Sequence, residues 1–199
     1  MAYVEVPTPE ESWPYAPPSS LDLNWLGIGE GKKEIWKDVR EFAEGSDFRI
    51  TAQRQRDTYR NLALGNKEEL ASLPPGFLEY YGFVEGDIVR ENPYFAAVFM
   101  LAQTWNNPSA IIMNFMFFST TMKPQYRSLM VQKDSKALLL LAYWWGIVAE
   151  TKKWFLVRRA TIECQSICLY LEKCYGEDQD LQYLLAFPRG ILCKDIISV

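Results

Sequence analysis

Asn114 is the lone polar residue in the run from Ala110 to Phe118, with Ile111, Ile112 and Met113 before it and Phe115, Met116, Phe117 and Phe118 after it. A side-chain amide buried in such a run costs about 1–3 kcal/mol unless it finds a partner. Gln103 and Asn107 bracket Trp105 on the preceding apolar stretch, Tyr94 lies just ahead of Phe95 and Phe99, and Tyr143 adjoins Trp144. A few neutral hydrogen-bonding groups set among aromatic walls are the usual anatomy of a small-molecule site. In that reading Asn114, Gln103 and Tyr143 act on a bound molecule. Tyr94, Phe99, Trp105, Asn107, Phe115, Phe118 and Trp144 then shape its pocket. The competing reading is a dense core in which Asn114 is satisfied internally.

What such a site could do is narrowed by what the chain lacks. The 199 residues include no histidine. Ser-His-Asp and Cys-His nucleophile pairs, histidine relays, His-ligated zinc or iron and histidine-held haem are therefore excluded. A net charge of -4 argues against direct nucleic-acid binding, which needs a surplus of Lys and Arg to neutralise phosphate. Other motifs have simpler readings. Gly27, Gly29 and Gly31 before Lys32-Lys33 lack Walker spacing and read as a turn. Glu177, Asp178 and Asp180 suit the start of a helix better than a metal site. Arg54, Arg56 and Arg60 beside Asp57 read as a solvated helix face. No metal and no cofactor are expected.

The elements that would position these residues are helical. Five prolines between Pro7 and Pro18 predict an extended arm over residues 1–20, part of it lying across the body formed by residues 21–199. Ile35, Trp36, Val39, Phe42 and Ala43 share one helical face, and a second helix is predicted over Ile50 to Leu64. Asn92-Pro93, Asn107-Pro108 and Lys123-Pro124 mark three further helix starts, with proline at the first position. Asp134-Ser135 opens an apolar helix through Ala149, Trp154 to Tyr175 forms a long amphipathic one, and a last helix runs from Glu177 until Pro188 stops it. Ala110 to Phe118 is compatible with a buried strand, but its Asn-Pro start favours helix. The expected fold is all-α, a single-domain bundle of about seven or eight helices.

The apolar run from Ala137 to Ala149 is shorter than the about 20 residues a bilayer span needs. The first 20 residues carry Glu5, Glu10 and Glu11 and no basic start, unlike a signal peptide. Cys164, Cys168, Cys174 and Cys193 form no CxxC pair and read as buried free thiols of a reducing compartment. An intracellular, cytoplasmic location is expected.

Several segments taken together resemble a known family. Asn114-Phe-Met-Phe-Phe-Ser, Asp134-Ser-Lys-Ala-Leu-Leu-Leu-Leu-Ala-Tyr-Trp-Trp, Lys153-Trp-Phe and Leu184-Leu-Ala-Phe-Pro188 are similar to the C-terminal regulatory region of fungal zinc-cluster transcription factors, the sterol uptake control group above all. Leu23-Asn-Trp25-Leu26 resembles the segment ahead of it, and the likeness extends over Leu21 to Phe187. It departs in three places. The family's DNA-binding cluster of six cysteines has no counterpart among these residues. Trp154-Phe155 stands in place of a double tryptophan, and Phe187-Pro188 in place of Trp-Pro. The resemblance implies a helical domain that binds a sterol-like or terpenoid-like molecule.

Two functions fit. One is a cofactor-independent cyclase or isomerase, pericyclase-like, that holds a reactive conformer of an apolar fungal terpenoid or polyketide and stabilises it with neutral donors. The other is a ligand-sensing regulatory domain, nuclear in that case, in which a sterol-like ligand shifts the population of helix arrangements. Both take an apolar small molecule as partner, and either could pair as a homodimer.

Overall fold

A computed structural model of the chain describes residues 8–20, 22–24, 70–83, 92–107 and 124–194, with Ile35, Phe42, Arg49, Ile50, Gln53, Asp57, Ile111, Asn114 and Phe118 as single positions. Every described element is helical: α1 (Phe77–Tyr80), α2 (Phe95–Asn106), α3 (Pro124–Val131), α4 (Ser135–Glu150), α5 (Val157–Tyr175) and α6 (Gln179–Lys194). No described residue lies in a strand, and single positions outside these six helices, Asp57 and Ile35 among them, are helical as well, so the all-α class holds and the expected number of about seven or eight helices is left open. Ile111, Asn114 and Phe118 are all helical, so the ambiguous segment takes its helical alternative at these positions.

The core is organised around α4. The Asp134 carboxylate caps its start, Oδ1 accepting from the Ala137 amide at 2.9 Å. Every residue from Ala137 to Ala149 is buried. A helix apolar on all sides must be wrapped by neighbours, and α2, α3, α5 and α6 all pack on it. Cys164 Sγ donates to the Ala142 carbonyl at 3.4 Å and Arg159 lies 5.9 Å from the Trp145 ring, so α5 runs antiparallel to α4. The α6 helix runs parallel to it, Tyr143 meeting Leu184 while Gly146 faces Ile191 and Pro188. A Cβ on Gly146 would stand 3.0 Å from Ile191 Cδ1 and 3.9 Å from Pro188 Cα, so the tip of Ile191 would have to give way to any larger residue.

Residues 8–16 run through turns, the Ala16 amide donating to the Ser12 carbonyl at 2.9 Å. They are held on the body at three points. Ser166 Oγ donates to the Ser12 carbonyl at 2.8 Å, and Lys133 Nζ donates to the Pro14 carbonyl at 2.6 Å. Lys173 Nζ sits 4.8 Å from the Tyr15 ring.

Four expectations change. The α2 helix begins at Phe95 rather than Pro93, because Asn92 forms a turn first, its Oδ1 accepting from the Tyr94 amide at 2.9 Å. The α5 helix begins at Val157, and Trp154 and Phe155 lie in the preceding turn. Pro188 does not end α6, which continues to Lys194. Ile35 and Phe42, placed on one apolar helix face, are both exposed.

Candidate functional site

The structure sets Tyr143 and Trp144 on two sides of α4, joined by a run of ring contacts in which Phe77 meets Tyr81 at 4.8 Å and Tyr81 meets Tyr94 at 5.5 Å. Tyr143 packs with Phe187 (ring centroids 4.9 Å apart), Phe77 (5.0 Å) and Trp105 (6.0 Å), and Trp105 meets Phe187 at 4.5 Å. On another side of α4, Trp144 lies against Phe118 at 4.7 Å, and Phe118 meets Tyr126 at 6.0 Å. Tyr94 joins that group through Tyr126 at 6.3 Å. Phe99 stacks on Phe95 at 6.1 Å. Gln103 is half-buried, Asn107 is exposed at the end of α2, and Phe115 lies outside the described residues.

The polar groups have internal partners. Asn114 Nδ2 donates to Thr104 Oγ1 at 3.0 Å, and that hydroxyl donates in turn to the Met100 carbonyl at 2.9 Å. The amide is thus held by a side chain one helix away, on a threonine that sequence reasoning passed over. Tyr143 Oη donates to the Leu184 carbonyl at 2.8 Å. Tyr94 Oη donates to Asp134 Oδ1 at 2.8 Å, the oxygen that also caps α4. Burial raises the phenol pKa of both tyrosines, and for Tyr94 the Asp134 carboxylate raises it further. Both therefore remain protonated, neutral donors at ordinary pH.

The Trp144 indole differs from these. Trp144 is fully buried, and its Nε1 has no hydrogen-bond partner among the described residues. A buried N–H left unpaired costs about 1–3 kcal/mol, so it calls for an acceptor such as a water, an ion or a bound molecule. Its neighbour Trp145 has the Arg159 guanidinium over its ring, and Arg159 reaches the Glu163 carboxylate at 3.4 Å. Burial pushes the Glu163 carboxyl upward, and the Arg159 charge works against that shift.

The motifs set aside in the sequence take structural places where they are described. Asp178 caps α6, Oδ1 accepting from the Leu181 amide at 3.0 Å while Oδ2 accepts from Tyr80 Oη at 3.2 Å. Asp57 accepts from the Gln53 amide at 3.1 Å on an exposed surface. The three glycines and three arginines lie outside the described residues. Cys164 and Cys168 are buried, but Cys174 is exposed and departs from the buried-thiol reading. Among the described residues no group of His, Cys, Asp and Glu could hold a metal ion, and no helix is long and apolar enough to cross a membrane.

Comparison of the chain with family models, curated proteins and solved structures returned no match.

Proposed function

We propose that this helical domain is a receptor for an apolar small molecule, with α4 as the wall of the site and the Trp144 indole N–H as its polar anchor. The observation that carries the reading is the fully buried, unpartnered Nε1 of Trp144 beside Phe118. A sterol-like or terpenoid-like ligand with one hydroxyl or carbonyl oxygen has the matching chemistry, an apolar body for the aromatic walls and a single acceptor for the N–H. The resemblance to sterol-sensing regulatory regions of fungal transcription factors points to the same ligand class.

Sensing is favoured over cyclisation by the state of the other donors. A cofactor-free cyclase needs donors aimed at charge that develops on its substrate. Tyr94, Tyr143 and Asn114 direct theirs to Asp134, Leu184 and Thr104. On this account a ligand acts by stabilising one arrangement of helices rather than by reacting.

Delipidated protein titrated with ergosterol, farnesol or a linear polyene tests the proposal through tryptophan fluorescence and thermal denaturation. Ligand at a hundredfold excess over its Kd should add about 3 kcal/mol of stability. The protein should leave the polyene's product ratios as they are in buffer. No change with any of the three probes would contradict the receptor reading, and stereoselective conversion of the polyene would favour the cyclase.

A further inference from the structure

The turn between α4 and α5 presents an aromatic pair to solvent. Trp154 is 84% exposed and Phe155 45% exposed, with their rings 5.6 Å apart in an edge-to-face arrangement. Exposed apolar side chains scattered singly are ordinary, whereas adjoining ones form a patch of the kind that contact surfaces use.

The backbone of this turn is well bonded. The Lys152 amide donates to the Ala149 carbonyl at 3.0 Å, and the amides of Leu156 and Val157 both donate to the Lys153 carbonyl at 2.8 Å. Lys152 takes a left-handed φ of 51°, which reverses the chain, and Leu156 turns inward to become buried. The fold therefore fixes the pair outward in the turn that joins two packed helices.

Charge identifies what it fits. Between Thr151 and Ile162 all four ionisable residues are basic (Lys152, Lys153, Arg158 and Arg159), in a chain that carries 25 acids against 21 bases. Lys152, Lys153 and Arg158 are exposed, as is Glu150 at the end of α4, while Arg159 is paired with Glu163. An exposed Trp-Phe pair with Lys152 and Lys153 directly before it and Arg158 shortly after it matches the headgroup level of an anionic bilayer. There an indole settles at the boundary while Lys and Arg meet acidic lipid. An acidic peptide would share the charge match, but an exposed tryptophan beside lysines is the combination that settles at a bilayer interface.

We infer that the Trp154-Phe155 tip docks this domain on an anionic membrane surface, as a peripheral contact and not a span. The inference is independent of the receptor reading, since it uses neither Trp144 nor a bound ligand.

Co-sedimentation of the full chain with vesicles of phosphatidylcholine, alone or mixed with phosphatidylserine, tests it. Partitioning onto the mixed vesicles should exceed that onto phosphatidylcholine by at least about tenfold and fall in high salt. Trp154→Ala with Phe155→Ala should lower it by about tenfold or more, and Lys153→Gln by about fivefold. Both variants change exposed residues, so unchanged thermal midpoints establish that the fold is retained. Protein that stays in the supernatant with both vesicle types, as an acidic peptide or a second copy of the chain as true partner would leave it, overturns the inference. So does undiminished binding by the double variant.

Discussion

The Tyr143 hydroxyl donates to the main-chain carbonyl of Leu184 at 2.8 Å. In a regular helix that carbonyl would accept from the amide four residues on, but position 188 is a proline and has no N–H. Tyr143 supplies the missing donor from the middle of α4. This explains how α6 runs through Pro188 to Lys194, and it gives the tyrosine a structural task.

Tyr143→Phe should therefore destabilise the fold by about 1–3 kcal/mol, the cost of leaving a buried carbonyl unpaired. In a Pro188→Ala background the helix regains its own amide donor, so the same substitution should cost about 1 kcal/mol less. Urea denaturation of the four proteins of this double-mutant cycle checks the coupling. Strictly additive effects would separate Tyr143 from Pro188.

Asp134 Oδ1 accepts from both the Ala137 amide and Tyr94 Oη. Asp134→Ala should cost about 2 kcal/mol by removing a cap and a charged hydrogen bond together. Tyr94→Phe should cost less, because the cap remains. Chemical denaturation ranks the two, and the reverse order would contradict the shared role of that oxygen.

Ser166 holds the N-terminal residues in place, its Oγ donating to the Ser12 carbonyl at 2.8 Å and accepting from the Tyr15 amide at 3.4 Å. Ser166→Ala should leave the helices intact and make residues 8–16 more sensitive to limited proteolysis, with a loss of about 1 kcal/mol. Cleavage at the wild-type rate would show that the other contacts suffice.

Alkaline pH should unfold the protein through its tyrosines. Burial is the main cause that pushes the Tyr80 phenol up to about 12 from 10.0, and burial also raises Tyr81, Tyr94, Tyr126 and Tyr143. The unfolded chain releases these protons near pH 10, while the folded chain keeps them to higher pH. Stability from this source is thus complete below pH 10 and is lost as pH rises toward and past about 12. Phenolate absorbance should rise in step with the loss of far-ultraviolet helix signal. Ionisation of all the tyrosines without unfolding would contradict their burial.

The helical class and the central helix were legible in the sequence because their signals are local. Asp134 reads as a cap and the residues after it as apolar on every face, and α4 has both properties. Pro188 was misread because its rescue comes from a hydroxyl 41 residues away, beyond the reach of any local rule. Trp154 and Phe155 fit a helical apolar pattern, and the left-handed backbone at Lys152 that throws them outward leaves no mark in a lysine. Asn114 was recognised as a group needing a partner, but only the packing of its segment on α2 names Thr104. The candidate site was legible as a set of residue types. Which donors stay uncommitted depends on pairing across helices, and that pairing is what leaves the Trp144 N–H without a partner among the described residues.

Trp144→Phe separates stability from binding. The substitution removes a large buried side chain but also an unpaired donor, so it should cost less than the about 3–5 kcal/mol typical of large aromatic deletions. It should weaken ergosterol or farnesol binding by about tenfold, the equivalent of one lost hydrogen bond of about 1.4 kcal/mol.

The most direct measurement follows the indole N–H signals of the seven tryptophans in nitrogen-labelled protein. The Trp144 signal is identified as the one missing from the Trp144→Phe spectrum. On titration with ergosterol or farnesol, the account predicts that this signal moves downfield and saturates as its N–H gains an acceptor. A Trp144 signal that stays in place throughout both titrations, whether or not other indoles shift, would contradict it.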